Sequence, residues 1–231
     1  AISAFVKYVG FEQIAISGCG LREGIMFNYA VPTTVEKPIS DVLNYSLQTL
    51  VRFYNCNPKH VEHVVGLSVQ LFKQLRVLHK FPRQYLKILK VVATLHDAGA
   101  AIKYYDYEKH TAYIIQNANI YGLTSREMVM ASFVAAVHKN DEFQMSEIAR
   151  YKEFVTEDDV DAIRKLGIML RIAESLDRSM SGCVKGLNCD VLGDSVIMKT
   201  EVEGDASLEI KDALNAANDF RRIFRKNLEI L

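Results

Sequence analysis

The sequence has few of the features that direct a chain to a membrane, to secretion or to a zinc module. Its four cysteines (Cys19, Cys56, Cys183 and Cys189) are scattered and form no close CxxC pair. It has no run of about 18 apolar residues, and its first residues, AISAFVKYVG, lack the charged start and cleavage pattern of a signal peptide. We therefore expect a cytoplasmic protein with reduced thiols and no membrane partner.

The chain also lacks an excess of charge of either sign, because 28 Lys and Arg residues balance 28 Asp and Glu residues. No overall field attracts it to nucleic acid or to a membrane surface, so an anionic ligand must be held by a local patch. The 231 residues, of which 49% are hydrophobic, are enough to bury a sizeable core.

A 3.6-residue hydrophobic period dominates from about residue 40 to residue 179 and predicts a mainly α fold. Two of the helix starts are marked by capping boxes, Thr124 to Glu127 and Thr156 to Asp159. The predicted helices span residues 40–55, 58–80, 82–102, 108–119, 124–139 and 156–179.

The two ends of the chain have a different pattern. The beginning predicts a short helix, a strand over residues 13–17 and a second helix, and one strand cannot form a sheet alone. After Gly182, the short segments CVKGLNCDVLG, DSVIMKTEVEG and ASLEIK predict β structure, followed by a helix in DALNAANDFRRIFRKN and a last apolar LEIL. Together they indicate a small C-terminal α+β unit.

Histidine or aspartate ends the apolar face of four predicted helices, and these polar side chains are therefore expected to point into the core. They are His60, the adjacent His96 and Asp97, His138, and Asp177. His63 shares its stripe with Gln70 and Gln74 and is expected to face water instead.

A buried polar group without a partner costs on the order of 2–7 kcal/mol. The inward groups must therefore meet one another or a cation. Imidazole and carboxylate are ligands for divalent ions such as Mn, Fe and Zn, and carboxylates also accept Mg. The alternative is a buried hydrogen-bond network that only fixes helix packing, and any single inward histidine is more often of that kind.

The order His60, then His96-Asp97, then Asp177 resembles the HD-domain phosphohydrolase superfamily, in which metal ligands follow the order H…HD…D. His110 and His138 fall where dinuclear members of that superfamily add histidines. The resemblance implies a divalent-metal site (Mg, Mn, Fe or Zn) formed by His60, His96, Asp97, His110, His138 and Asp177.

Four motifs in order resemble the C-terminal half of the exopolyphosphatase and guanosine pentaphosphate phosphatase family: SGCGLREGIMF, LHDAGAAI, KHTAYIIQNANIYGLTSRE and LRIAESLDRS. The resemblance implies an actin-like phosphatase domain that hydrolyses terminal phosphates of inorganic polyphosphate or guanosine pentaphosphate. It also implies a helical part that holds the polyanion and forms a homodimer. We expect residues 1–34 to be a remnant of the actin-like α/β domain, with its active site missing. Residues 35–182 are then an HD-domain-like helical bundle and residues 183–231 the small α+β unit.

Two functions remain open for this chain. The first is an accessory module that binds polyanion and mediates dimerisation without turnover. The second is an autonomous metal-dependent phosphohydrolase acting on a nucleotide or phosphate ester. In either, the basic residues beside the inward groups are candidates for phosphate binding: Lys109, Lys139, Arg171 and Arg178.

Overall fold

The computed structural model describes residues 2–12, 20–30, 41–139 and 148–231. By its internal contacts the chain divides into two units, Ala1–Ser40 and Asp41–Leu231. The first unit contains helices α1 (Ile2–Val9) and α2 (Leu21–Ala30), as expected from the sequence. The strand predicted over residues 13–17 lies outside the described residues.

The second unit is mainly helical, with a small sheet. Each helix predicted between residues 40 and 179 is present, although the one predicted over 58–80 is split in two and the one predicted over 82–102 ends in a separate 3₁₀ turn, Ala98–Ala101. Among the described helices, none is long and apolar enough to cross a membrane. The helices are α3 (Val42–Phe53), α4 (Pro58–Gln74), α5 (Arg76–His79), α6 (Gln84–Leu95), α7 (Tyr107–Asn117), α8 (Ser125–Val137), α9 (Glu157–Ser175), α10 (Ser207–Leu214) and α11 (Ala217–Phe224).

Local sequence signals explain where several helices begin. Both predicted capping boxes form, and in the first of them Thr124 N donates to Glu127 Oε2 at 2.9 Å. Asn57 caps α4 by accepting from Lys59 N at 3.1 Å, and Pro58 occupies the first helical position, where a missing N–H is harmless. Asn57 and Pro58 therefore fix the start of α4, the helix that carries His60.

The core lies between α4, α6, α8 and α9, which pack against one another. Leu67, Leu89, Val134 and Leu166 contribute one buried side chain from each of these helices. The apolar faces of these helices pack together at this centre. A polar side chain on one of these faces is therefore buried as well.

Three strands form the sheet: β1 (Val184–Leu192), β2 (Ser195–Val202) and β3 (Asn227–Ile230), in the order β1-β2-β3. β1 pairs with β2 antiparallel, with Leu187 opposite Thr200, and β2 pairs with β3 parallel, with Val196 opposite Leu228. Among the described strands, β1 therefore lies at an edge, and its backbone groups that face away from β2 need other partners.

Helix α4 supplies those partners from its polar stripe. His63 Nε2 lies 2.7 Å from Val184 O, and Leu187 N donates to Gln70 Oε1 at 2.9 Å. Gln74 Nε2 donates to Asn188 Oδ1 at 2.8 Å. The expectation that His63 faces water is therefore wrong, because this stripe covers the edge of the sheet.

One C-terminal segment also differs from its prediction. ASLEIK, expected to be β structure, lies in and just before α10. Asp205 Oδ1 accepts from Ser207 N at 2.9 Å, and Ala206, Ile210 and Ala213 turn to the core at helical spacing. The predicted domain boundaries at 34/35 and 182/183 stay predictions; by contacts, the sheet belongs to the same unit as the helices.

Candidate metal centre

His60 lies in the first turn of α4 and is buried, with 3% of its surface exposed. Its Nδ1 lies 2.7 Å from Asp177 Oδ2, just beyond the end of α9. An ionised carboxylate only accepts, so Nδ1 of His60 donates to it, and in the neutral ring Nε2 then presents a lone pair.

His96 and Asp97 follow α6, where the chain leaves the helix. His96 is fully buried, and its Nδ1 donates to Ala93 O at 2.8 Å, so its Nε2 also presents a lone pair. Thr111, on α7, holds this turn from the other side, since its hydroxyl donates to His96 O at 2.8 Å and accepts from Gly99 N at 2.9 Å. A Cβ on Gly99 would lie 2.0 Å from Tyr107 O, so only glycine allows this close approach.

The three side chains converge. The two Nε2 atoms of His60 and His96 are 3.2 Å apart, and Asp97 Oδ2 lies 3.5 Å from each of them. Among the described residues, these three form the group of potential ligands within 4.8 Å of one another. Two lone pairs at 3.2 Å repel unless a proton or a cation lies between them, and Asp97 adds negative charge at the same point.

This donor set fits a divalent ion. Ligand atoms about 2.1 Å from a tetrahedral ion lie about 3.4 Å apart, close to the spacings here. Two neutral imidazoles and a carboxylate suit Zn, Mn or Fe rather than an all-oxygen Mg site. Both histidines also have their second nitrogen fixed by an acceptor, as metal-binding histidines usually do.

Asp177 was expected to be a ligand, but both of its oxygens are already engaged by the chain. Oδ2 accepts from His60, while Oδ1 accepts from Gly182 N at 2.9 Å and lies 3.0 Å from His63 Nδ1. Burial raises the pKa of Asp177, but the hydrogen bonds from His60, His63 and Gly182 outweigh burial and hold its pKa below the usual range. Asp177 therefore orients His60 as an ionised acceptor.

His63 is one of the residues that the sequence reasoning missed. Its two ring nitrogens face two acceptors, Asp177 Oδ1 and Val184 O. The interaction with Asp177 raises the pKa of His63 despite partial burial. His63 thus links Asp177, which accepts from His60, to strand β1. Gln70 and Gln74, which share its stripe, could not predict this link, because Asp177 and Val184 lie far along the chain.

His138 and His110 lie apart from the group of three. His138 is buried on the α8 side, where its Nδ1 donates to Ala135 O at 2.6 Å and its Nε2 lies 3.3 Å from Glu174 Oε2. Burial raises the pKa of Glu174, but His138, Lys139 and His96 outweigh burial and hold it well below the usual range. His110 is half-buried on α7. Glu174, absent from the predicted set, is a further acidic group that borders the same cleft as Asp97.

The four predicted phosphate-binding residues each lie against a carboxylate. Lys109 is exposed and lies 3.5 Å from Asp106, and Lys139 pairs with Glu174. Arg171 Nη1 donates to Asp219 Oδ2 at 2.6 Å. Arg178 makes the loosest pair, 4.0 Å from Asp212 Oδ2. It also borders a cleft that His60 and Asp97 line.

That cleft has a volume of about 600 Å³ and reaches two members of the group of three, His60 and Asp97. His60, Asp97, Glu174 and Arg178 line it, and so do Tyr54 and Tyr104. Cys56 also borders it, but burial and the charge of Asp97 raise the pKa of its thiol to about 11. The thiol is therefore protonated at neutral pH in the metal-free protein.

Comparison with known proteins agrees with the motifs. Residues 42–220 match the family described as Ppx/GppA phosphatase, domain III. A guanosine-5'-triphosphate,3'-diphosphate pyrophosphatase of Aeromonas hydrophila is 26% identical over 148 residues, which are 64% of this chain and 29% of the relative. The enzyme of the same name from Pseudoalteromonas translucida is 28% identical over 141 residues, 60% of this chain and 27% of the relative.

The chain thus spans less than a third of the length of these curated relatives. The family match, by contrast, covers more than half of this chain and runs from α3 through α11. It includes every residue of the histidine group and of the cleft. The chain therefore belongs to the Ppx/GppA phosphatase family, and most of it corresponds to that family's domain III.

Proposed function

We propose that this chain is the domain III region of an exopolyphosphatase-type or guanosine pentaphosphate phosphatase enzyme, and that it holds a divalent metal between His60, His96 and Asp97. We propose further that the metal-loaded cleft hydrolyses a phosphate ester or anhydride. The observation that carries this is the convergence of the two Nε2 atoms of His60 and His96, 3.2 Å apart, beside Asp97. The HD-domain-like assignment of the bundle rests on the same residues.

When bound, a divalent ion supplies Lewis acidity toward a phosphoryl oxygen and acidifies water in the cleft. The chain's own groups orient the site: Asp177 keeps the proton of His60 on Nδ1, and Ala93 O keeps that of His96 on Nδ1. Arg178 is placed to bind a phosphate oxygen, since its pairing with Asp212 is long. Without a cation, Asp97 and Glu174 would repel a phosphate, so binding should require the metal.

A second candidate is the accessory role, in which the chain binds inorganic polyphosphate or a phosphorylated guanosine nucleotide and forms a homodimer in support of a separate, actin-like phosphatase domain. The match to one domain of a family whose curated relatives are much longer favours it. The ion pairs of Lys109, Lys139 and Arg171 count against it, because a long polyanion needs several available cations. A cytoplasmic setting suits either role, since Cys56, Cys183 and Cys189 are free thiols.

The test is phosphate release by metal-loaded protein from a panel of nucleotides and from polyphosphate. We expect release from at least one substrate, lost in His96→Ala and Asp97→Asn and kept in His79→Gln. His79 is a matched control because it is equally buried but its ring bridges Phe72 O and Phe81 N, away from the cleft. Metal binding without release, together with polyphosphate binding at physiological salt, would establish the accessory role instead.

A further inference from the structure

The cleft beside the histidine group has aromatic walls that phosphate chemistry alone does not require. Tyr54, at the end of α3, and Tyr104, between the 3₁₀ turn and α7, both border it. Tyr104 keeps 66% of its surface exposed, and its ring centroid is 6.3 Å from that of Tyr107. Tyr107 is turned inward and donates to Glu174 Oε1 at 2.8 Å. An exposed ring at the mouth of a polar cleft is available for stacking.

The charges of the cleft argue against a long inorganic polyanion. Among the described residues that border it, Arg178 is the single Lys or Arg, against the carboxylates of Asp97 and Glu174. Polyphosphate carries about one negative charge per phosphate, and each needs a cation nearby to offset the loss of water. One arginine and one metal site match a single phosphate group.

We propose that the cleft takes a nucleotide with a short phosphate group, its base stacked against Tyr104 and Tyr54 and its phosphate directed toward Arg178 and the His60, His96 and Asp97 group. The phosphate end of this proposal rests on the proposed metal site; the base end rests on the tyrosines alone. A volume of about 600 Å³ lies within the range of small-molecule sites. Asn55, which also borders the cleft, offers an amide donor and acceptor to the edge of a base.

The chain offers matched variants for a test. Tyr104→Ala removes the exposed ring, Tyr104→Phe keeps the ring without its hydroxyl, and Tyr113→Ala removes a similarly exposed tyrosine on α7 that does not border the cleft. The ligands are GMP, AMP, ribose 5-phosphate, which has the phosphate without a base, and tripolyphosphate. Each is titrated calorimetrically into Mn²⁺-loaded protein, and saturation-transfer NMR of guanosine reports contact with the base without metal or phosphate.

We expect a nucleotide to bind more tightly than ribose 5-phosphate or tripolyphosphate. Loss of one stacking ring in Tyr104→Ala should weaken nucleotide binding about 5- to 140-fold, while Tyr104→Phe and Tyr113→Ala bind as the wild type does. Ribose 5-phosphate should be insensitive to all three variants.

Equal binding of nucleotide and ribose 5-phosphate, or tighter binding of tripolyphosphate, would overturn the proposal while leaving the metal site intact. If no Mn²⁺ binds, the proposed function fails, and the guanosine signal still decides the base site. Saturation transfer that is lost in Tyr104→Ala supports stacking, and no transfer to guanosine in the wild type refutes it.

Discussion

In His60 and in His96, Nδ1 donates a hydrogen bond to an acceptor of the chain. The two Nε2 atoms, with their lone pairs, then face each other. A buried structural network would normally place a donor against an acceptor at such a point. Here the arrangement is satisfied by a cation, or by protonation of one ring next to Asp97. The tautomers, set by Asp177 and Ala93, thus decide the chemistry of the group more than its residue types do.

His63 allows a test of this local electrostatics through pH. Its raised pKa means that its contribution to stability is fully present below the unfolded value of about 6.5 and is lost as the pH rises through the folded value. We expect the difference in unfolding free energy between wild type and His63→Gln to be larger at pH 6 than at pH 9. Urea unfolding in EDTA, which removes metal linkage, measures it.

His79 provides a control of opposite sign. Burial lowers its pKa, and its Nδ1 accepts from Phe81 N, so it is held neutral. Its contribution is present above about pH 6.5 and is lost as the pH falls. The effect of His79→Gln should therefore be larger at pH 8 than at pH 5, and parallel pH slopes for the two variants would contradict one of the two assignments.

At the scale of elements, the site depends on a junction rather than on a single helix. α6 ends at Leu95, and the His96-Asp97 turn is held against α7 through Thr111 and Gly99. The atoms that surround Gly99 are mostly backbone, which cannot move aside as a flexible side chain can. A small change at this junction should therefore displace the histidine and aspartate without touching either.

Gly99→Ala should destabilise the protein by about 2–3 kcal/mol and reduce its metal content, because the added Cβ overpacks the junction. Gly66→Ala is the matched control: Gly66 lies within α4 with nothing within 4 Å of an added Cβ, and helix propensity predicts a gain of about 0.5–1 kcal/mol. Urea unfolding and elemental analysis of both variants measure the effects. A Gly99→Ala protein as stable and as metal-rich as the wild type would refute this account of the junction.

The elements also show what the sequence could predict. The 3.6-residue period located the helices and turned His60 and His96 inward, because burial of an apolar face depends on local spacing. It could not reveal that His63 meets Val184, since the partners are 121 positions apart. The order of the residues along the chain also could not predict that Asp177 contacts Nδ1 of His60 rather than lying beside its Nε2. ASLEIK was mistaken for a strand because six residues carry too short a pattern.

At the scale of the whole molecule, the sheet and the helical core form one unit in the described chain, and Asp177 lies where they meet. α9 carries Glu174 to the cleft, and Asp177 follows its end; Gly182, five residues later, leads into β1. The candidate site therefore lies close to where the helical core meets the sheet. Loss of the metal should therefore lower the unfolding free energy of the whole unit, since a bound ion stabilises the native state by mass action.

The most direct test of the central claim is the metal content of the purified protein after incubation with Mn, Fe or Zn, measured by elemental mass spectrometry. We predict about one divalent ion per chain in the wild type and in His79→Gln, and none in the His96→Ala, Asp97→Ala double variant. No metal in the wild type, or equal metal in the double variant, would contradict a site at His60, His96 and Asp97. It would leave these residues as a polar network of the core.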